Sequence, residues 1–338
     1  MDKVILGKTG IEVNKNGFGA LPIQRITKAE AVYILQKAFY NGINYFDTAR
    51  AYTDSEEKIG AAFSYIRDKL IISTKTAAKT GEGLKKDLEE SLRMLQTDYI
   101  DIYQFHNPDF CPRPGDGTGL YEAALEAKRQ GKIRHIGITN HRIPLAKAAI
   151  ESGLYETLQF PFSYLAAETD LELVDACKKA DMGFIAMKAL SGGLIQNSAC
   201  AYAFMAQAQF EHVAPIWGIQ RESELDEFLS YQVCPPSLTG ELKEVMEKDR
   251  KELSGDFCRG CGYCMPCPAG IEINNCARMG LLLRRSPQAS WLSAEWQEKM
   301  KKIEECKHCG QCMKKCPYSL NTPELLAKNY EDYKTFLD

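Results

Sequence analysis

Residues 70–106 read LIISTKTAAKTGEGLKKDLEESLRMLQTDYIDIYQFH and contain the repeating unit that decides the fold. The apolar runs Leu70–Thr76 and Ile100–His106 each have the length and composition typical of a buried strand. Between them, Gly83–Leu95 places leucines at positions 84, 88, 92 and 95, on one face of a helix. A strand, an amphipathic helix and a second strand in this order predict a parallel β-α-β unit.

The same unit recurs over the first 230 residues. The predicted strands are Val13–Ala20, Tyr45–Ala49, Leu70–Thr76, Ile100–His106, His135–Asn140, Leu158–Ser163, Gly183–Leu190 and Val213–Ile219. Eight strand–helix repeats favour an α/β fold of the (β/α)8 or TIM-barrel kind over an open doubly wound sheet. No G-x-G-x-x-G motif follows the first strand, which also argues against the open sheet. Before the barrel, Lys3–Leu6 and Ile11–Val13 flank a turn and predict an N-terminal hairpin that closes the bottom of the barrel.

Length and charge narrow the class of protein. The chain has 338 residues, more than the roughly 250 that a barrel needs, so a further module is expected. The net charge of −3 with 26% charged residues gives no sign of the clustered basic face that nucleic-acid binding requires. No apolar run is long enough to span a membrane, and Met1–Gly10 does not resemble a signal peptide, so we expect a cytoplasmic protein.

Nine of the 13 cysteines crowd between Cys258 and Cys316. This change in composition predicts two domains, a barrel over residues 1–235 and, over 236–338, a linker helix followed by a small helical, ferredoxin-like domain. In the reducing cytosol, disulfides are not expected. The cysteines are therefore candidates for metal binding.

The tail contains two closely spaced cysteine runs. The first is Cys258, Cys261, Cys264 and Cys267, and the second is Cys306, Cys309, Cys312 and Cys316. The second run matches the C-x₂-C-x₂-C-x₃-C pattern of bacterial ferredoxins, in which the fourth cysteine ligates the other [4Fe–4S] cluster. By that logic the first three cysteines of each run share a cluster with the last cysteine of the other run. The first run is one residue shorter, which leaves Cys276 open as a substitute for Cys267. Two zinc sites are the alternative, but zinc ribbons use separated CxxC pairs.

Four residues at the predicted strand ends could reduce a carbonyl. They are Asp47, Tyr52, Lys75 and His106. A tyrosine is a weak acid, but a nearby ammonium favours its phenolate and makes it a better proton donor. The aspartate would hold the lysine, and the histidine would hydrogen-bond and orient the carbonyl oxygen. In barrels of this kind, the active site lies at the carboxyl ends of the strands.

The barrel resembles the aldo-keto reductase family over roughly residues 3–230. The segments that carry the likeness are Leu6–Val13, Gly17–Gly19, Asn44–Ala49 with Tyr52, Ser73–Lys75, Asp101–His106 and Gly137–Asn140. With its cysteine tail, the chain resembles the subgroup of that family with a C-terminal ferredoxin-like domain holding two [4Fe–4S] clusters.

The resemblance implies NADPH or NADH as cofactor, and a set of residues that would contact it. These are Gly19, Asn140, Gln159, Met187, Lys188, Gly218, Arg221 and Glu227. Asn140 and Gln159 stand where the family binds the nicotinamide amide. Two features depart from the family: Met187-Lys188 replaces an aromatic ring, and Arg221 is followed by the acidic residues Glu222 and Glu224. We therefore leave the choice between NADH and NADPH open.

Three functions fit these observations. The first is a nicotinamide-dependent reductase of a small carbonyl substrate. In the second, ferredoxin or another electron carrier feeds the clusters, which pass electrons to FMN bound in the barrel, because a flavin exchanges one or two electrons. The third is a non-catalytic regulatory or redox-sensing barrel. The presence of all four candidate catalytic residues favours an enzyme over this last alternative.

Overall fold

A computed structural model of the chain describes residues 3–253 and 257–337. These residues form two compact units. The first comprises Met1–Ala189 and Ser198–Lys243, and the second comprises Leu190–Asn197 and Glu244–Asp338. The domain division proposed at residue 235 stays a prediction.

The first unit contains a two-stranded hairpin and a closed barrel of eight parallel strands. The hairpin strands are β1 (Lys3–Ile5) and β2 (Glu12–Asn14). The barrel strands are β3 (Gly17–Gly19), β4 (Tyr45–Asp47), β5 (Ile71–Thr76), β6 (Ile100–His106), β7 (Ile133–Thr139), β8 (Thr157–Pro161), β9 (Gly183–Met187) and β10 (Val213–Gly218). Pairing of β10 with both β9 and β3 closes the barrel. The predicted TIM-barrel fold is thus confirmed.

Helices follow the barrel strands in the alternation that the sequence predicts. They are α1 (Lys28–Tyr40), α2 (Ser55–Phe63), α3 (Gly81–Leu95), α4 (Leu120–Arg129), α5 (Ile143–Ser152), α6 (Glu168–Lys179), α7 (Ser198–Met205), α8 (Glu222–Val233) and α9 (Gly240–Glu252). Helix α1 begins with a capping box between Thr27 and Glu30. In α3, Leu84, Leu88 and Leu95 are buried, as their spacing predicts.

The hairpin closes the amino-terminal end of the barrel. Its side chains Val4, Leu6 and Val13 form one buried cluster with side chains of five barrel strands. In the hairpin turn, Gly7 has φ +50°, and a Cβ there would lie 2.4 Å from the carbonyl oxygen of Asp181. Asp181 lies two residues before β9, and only a glycine allows the hairpin turn to approach the chain so closely there.

The predicted first strand, Val13–Ala20, is wrong as a single element. Glu12–Asn14 pairs antiparallel with β1, whereas Gly17–Gly19 joins the barrel. The chain bends at residues 15–16, because the side chain of Asn14 accepts a hydrogen bond from the backbone of Asn16. The amide of Asn16 in turn donates to the carbonyl oxygen of Phe228.

The second unit is helical and packs around the cysteine runs. Its helices are α10 (Ile273–Cys276), α11 (Met279–Arg285), α12 (Gln288–Trp291), α13 (Ala294–Lys301), α14 (Gln311–Lys315) and α15 (Thr322–Lys334). The spacer between the cysteine runs holds four short helices, α10 to α13. Buried residues such as Ile271, Met279 and Met300 form its core, and Cys258, Cys267 and Cys306 pack against them. None of the helices in the described part of the chain is long and apolar enough to cross a membrane.

Candidate functional site

A buried ion pair joins the ends of two neighbouring barrel strands. Asp47 ends β4 and pairs in register with Ser73 of β5, and Lys75 lies two residues further along on the same face. The Nζ of Lys75 lies 2.6 Å from Oδ2 of Asp47 and also donates to the carbonyl oxygen of Thr48. Burial lowers the pKa of Lys75, and the carboxylate of Asp47 acts in the opposite direction to keep the lysine charged.

Tyr52 lies beside this pair, in the loop between β4 and α2. The Nζ of Lys75 lies 5.4 Å from the centre of the Tyr52 ring. The loop is held by buried hydroxyls, since Ser55 Oγ lies 2.8 Å from Thr48 Oγ1 and donates to the carbonyl oxygen of Ala20. The loop that carries Tyr52 is therefore tied to the residues that directly follow β3 and β4.

His106 completes the group from the end of β6. Its ring stands edge-on to the ring of Tyr52, with centres 5.9 Å apart. Burial and the charge of Lys75 together lower the pKa of His106 to about 3. The imidazole is thus neutral near pH 7, and one ring nitrogen can donate a hydrogen bond. The structure brings together all four residues that the sequence singled out for catalysis.

Two buried amide side chains, Gln104 and Gln159, lie next to Asp47, and neither is in the catalytic group predicted from the sequence. Gln104 donates from Nε2 to Oε1 of Gln159 over 2.8 Å, and Gln159 donates to Oδ2 of Asp47 over 3.3 Å. Ser73 also donates to Asp47, over 2.6 Å. The sequence did contain a signal for Gln104, which is polar in an apolar strand and shares a face with His106 two residues later.

The side chain of Asn140 connects the loop after β7 to the loop after β6 by hydrogen bonds. Its side-chain oxygen accepts from the backbone of His141 and Arg142, and its nitrogen donates to the carbonyl oxygen of Pro108 over 3.0 Å. Gln159 is likewise hydrogen-bonded within the barrel. The nicotinamide contacts proposed for these two residues stay predictions.

Four further predicted cofactor residues lie at the rim of the barrel. Gly19 and Gly218 are neighbours in register on β3 and β10. A Cβ on Gly19 would lie 3.0 Å from the carbonyl oxygen of Trp217, so a side chain is poorly tolerated there. Met187 ends β9, and Lys188 follows with φ +57°. Burial lowers the pKa of His141, and the charge of Lys188 nearby lowers it further. The rim therefore carries the positive charge of Lys188.

The acidic stretch after β10 is largely compensated by hydrogen bonds. Glu222 accepts from Tyr33 and Lys37 of α1, each over 2.6 Å. Glu224 accepts from the backbone of Gln220 and Arg221 over 3.0 and 3.1 Å. Glu222 is thus already paired with a cation, and Glu224 with backbone N–H groups.

Two other groups in this region bear on cofactor binding. The exposed carboxylate of Glu227 accepts from Ser198 and Tyr231. The side-chain oxygen of Gln220 is buried and has no hydrogen-bond partner among the described residues. A buried acceptor without a partner among the described residues fits an amino or hydroxyl group of a bound ligand.

The eight predicted cluster cysteines line two cavities in the second unit. One, of about 360 Å³ with its open side included, is lined by Cys258, Cys261, Cys264 and Cys316. The other, of about 400 Å³, is lined by Cys267, Cys306, Cys309 and Cys312, and also borders Cys264. Each cavity thus combines the first three cysteines of one run with the fourth cysteine of the other, as expected of ferredoxin-type runs. Cys276 is fully buried and lies in the lining of neither cavity.

The cavities fit clusters better than single ions. Within residues 3–253 and 257–337, no three Cys, His, Asp or Glu side chains converge closely enough to hold one metal ion. A [4Fe–4S] cluster instead takes four thiolates around a cube of irons and sulfides, and each cavity is lined by at least four cysteines.

Comparison with known protein families agrees with this geometry. Residues 15–231 match the model described as the aldo/keto reductase family, which is more than half of the chain. The chain belongs to the aldo/keto reductase family. Within it, this member carries an additional segment, because residues 257–321 match the model of a 4Fe-4S dicluster domain. That segment contains all eight cysteines that line the two cavities.

Individual relatives are similar to parts of the chain. L-galactose dehydrogenase of Arabidopsis thaliana is 31% identical over 209 residues, which cover 56% of this chain and 66% of the relative, slightly under two thirds. Methylglyoxal reductase DkgB of Salmonella typhi is 42% identical over 120 residues, 32% of this chain and 42% of the relative. The solved structure of the aldo-keto reductase AKR11C1 from Bacillus halodurans has a TM-score of 0.63 at 22% identity, covering 74% of this chain and 96% of that one. This last likeness shows the fold alone.

Proposed function

We propose that this oxidoreductase reduces a small carbonyl compound, with Tyr52 as the proton donor. The observation that carries the proposal is the position of Lys75, whose buried ammonium pairs with Asp47 and lies 5.4 Å from the centre of the Tyr52 ring. An ammonium beside a phenol favours the phenolate and so makes the hydroxyl a better acid.

Each of the four residues has a distinct task in this proposal. Reduction adds a hydride to the carbonyl carbon and a proton to its oxygen. Tyr52 gives up the proton and regains one from solvent. His106, neutral because burial and the charge of Lys75 lower its pKa, donates a hydrogen bond that orients the carbonyl oxygen. Asp47 keeps Lys75 charged and in place.

The hydride donor that we propose is NADH or NADPH. A nicotinamide, when bound, supplies the hydride to the substrate carbon. Gln220 is added here to the residues proposed to hold it, on account of its unpartnered side-chain oxygen. The residues carried over from the sequence are Gly19, Asn140, Gln159, Met187, Lys188, Gly218, Arg221 and Glu227.

Replacing Tyr52 with phenylalanine tests the proposal. We expect the rate of carbonyl-dependent NAD(P)H oxidation to fall 10²- to 10⁴-fold, as the loss of a general acid does, while fold and iron content stay unchanged. Methylglyoxal and aromatic aldehydes serve as probe substrates. Tyr65→Phe removes an exposed hydroxyl that contacts Gln36 and Tyr40 on α1 and is the matched control. Equal rates for the wild type and Tyr52→Phe would exclude Tyr52 as the proton donor.

A second candidate function gives the clusters a part in turnover. One observation favours it: in the second cavity Cys309 is exposed, and so are its neighbours Lys307 and His308. A cluster held there would be accessible to ferredoxin or another electron carrier. A flavin, when bound in the barrel, exchanges electrons singly or in pairs and so links such a carrier to a two-electron reduction.

The two candidates differ in the cofactor that co-purifies. Protein prepared without oxygen is denatured, and the released small molecules are examined by absorbance and mass spectrometry. Flavin bands would support the second candidate. Nicotinamide alone, with activity that needs NAD(P)H and no reduced ferredoxin, would support the first.

A further inference from the structure

Arg278 is a half-buried cation of the second unit that differs from the neighbouring arginines in its hydrogen-bond partners. It lies between α10 and α11 and donates to the carbonyl oxygen of Gly192 over 3.2 Å and to the side chain of Asn275 over 3.4 Å. Its Nε is buried and has no hydrogen-bond partner among the described residues. Arg284 and Arg285 on the same segment each pair with carboxylates, Asp332 and Asp249. For Arg278, no carboxylate of the described residues takes that place.

The guanidinium of Arg278 packs flat against the first cysteine run. A Cβ on Gly260 would lie 2.5 Å from its central carbon and 2.7 and 2.9 Å from its two terminal nitrogens. Gly260 lies between Cys258 and Cys261, and its backbone nitrogen donates to the sulfur of Cys258 over 3.4 Å. Burial lowers the pKa of Arg278, and the negative charge of these two thiolates opposes that shift. The nearest compensating charge is therefore that of the cluster ligands.

We propose that Arg278 is the counter-charge of the cluster held by Cys258, Cys261, Cys264 and Cys316, and that it raises the reduction potential of that cluster. The inference rests on the cluster ligands proposed above. Adding an electron makes a cluster and its thiolates more negative, so a cation nearby stabilises the reduced form. Burial strengthens the effect, because water screens the charge less.

The cations near the two cavities differ in exposure. The first cavity is lined by the half-buried Arg259, and Arg278 lies against Gly260 of the same cysteine run. The basic residues of the second cavity, Lys307 and His308, are exposed to solvent, which screens their charge. We therefore expect the two clusters to differ in potential, with the cluster beside Arg278 the easier to reduce. In a chain that receives electrons at the exposed Cys309, this order makes transfer towards the first cluster favourable.

The test is a redox titration of anaerobically purified protein, monitored by EPR. Arg278→Gln and Arg278→Met both remove the charge, while Arg284→Gln makes the same change at a residue already paired with Asp332. For the neutral variants at Arg278, we expect one of two midpoints to become more negative by at least a tenfold change in the equilibrium, about 59 mV for one electron. The other midpoint, and both midpoints of Arg284→Gln, should not move. Arg278→Lys should restore the potential in part.

The outcomes separate this inference from the proposal on which it rests. A wild-type chain that binds fewer than two clusters would overturn the ligand assignment itself. Two intact clusters with unchanged midpoints in either neutral variant would overturn only the role of Arg278. If both neutral variants lose iron while Arg284→Gln keeps it, Arg278 is a structural residue and the inference fails.

Discussion

Gln159 donates from Nε2 to Oδ2 of Asp47 over 3.3 Å and accepts from Gln104 over 2.8 Å. The carboxylate that pairs with Lys75 is thus supported from below by two buried amides, and from the side by Ser73. Such a shell fixes the orientation of the carboxylate and, through it, the position of the ammonium beside Tyr52. The geometry of the site therefore depends on fully buried residues behind the ion pair.

Gln104→Met tests this support, because methionine keeps the volume and removes both polar atoms. We expect the free energy of unfolding to fall by about 1–3 kcal/mol, since Oε1 of Gln159 loses its partner. We expect kcat to fall with little change in KM for the carbonyl, because Gln104 positions Asp47 and does not touch substrate. Gln130→Met on the surface of the barrel is the control, and equal kcat values for the two variants would contradict the positioning role.

Asp47→Asn removes the charge partner of a buried ammonium. Breaking such a pair costs about 3–5 kcal/mol of stability, and Lys75 can avoid part of that cost by losing its proton. A neutral Lys75 no longer favours the phenolate, so we expect turnover to fall at least tenfold. Stopped-flow or steady-state rates at several pH values measure this loss.

Asp101→Asn separates lost stability from lost catalysis. Asp101 is also buried and pairs with Arg67 over 2.6 Å and with Arg134 over 2.9 Å, at the start of β6, away from Tyr52. This variant should lose stability to a similar extent while each folded molecule keeps its rate. A parallel loss of rate in both variants would show that the Asp47 effect is one of folding only.

The strands that carry Asp47, Lys75 and His106, and the loop position of Tyr52 after the first of them, could be predicted from the sequence. The reason is local: short apolar runs mark the strands, and parallel strands in a barrel end at the same face. The supporting role of Gln104 and Gln159 could not be predicted in the same way. Which buried polar side chains meet across a barrel depends on register, which the sequence of one strand does not contain.

The segment Leu190–Asn197 illustrates a second limit. From the sequence, Gly183–Leu190 reads as one strand of the barrel. The structure ends the strand at Met187 and groups Leu190–Asn197 with the second unit. Arg278 and Arg285 bind its carbonyl oxygens at Gly192 and Leu194. These contacts join residues about ninety positions apart, so no local sequence pattern predicts them.

The neutral state of His106 gives a prediction about pH. Burial and the charge of Lys75 lower its pKa to about 3, so His106 binds no proton between pH 5.5 and 8.5. Between its folded pKa and its unfolded value near 6.5, the unfolded chain binds more protons, so the stability due to neutral His106 is lost as pH falls through that window. Any ionisation seen in kcat/KM above pH 5.5 must then belong to another group.

Profiles of kcat/KM for the wild type and His106→Gln between pH 5.5 and 8.5 check this prediction. Glutamine retains a hydrogen-bond donor, so we expect a lower rate with the same apparent pKa values. An acidic limb near pH 6.5 that is present in the wild type and absent in His106→Gln would show that the imidazole titrates, against the prediction.

The last prediction concerns the two candidates for the eighth cluster ligand. Cys267 lines the same cavity as Cys306, Cys309 and Cys312, whereas Cys276 is fully buried with its sulfur 3.9 Å from the carbonyl oxygen of Lys299. We expect Cys276→Ala to keep about eight irons per chain, as two four-iron clusters require. Cys267→Ala should lose iron from one cluster only, because three thiolates hold a four-iron cluster poorly. Iron and sulfide analysis, with EPR of the reduced proteins, measures both variants. The reverse pattern would make Cys276 the ligand. It would also show that the missing residue in the first run prevents Cys267 from taking the usual ligand position.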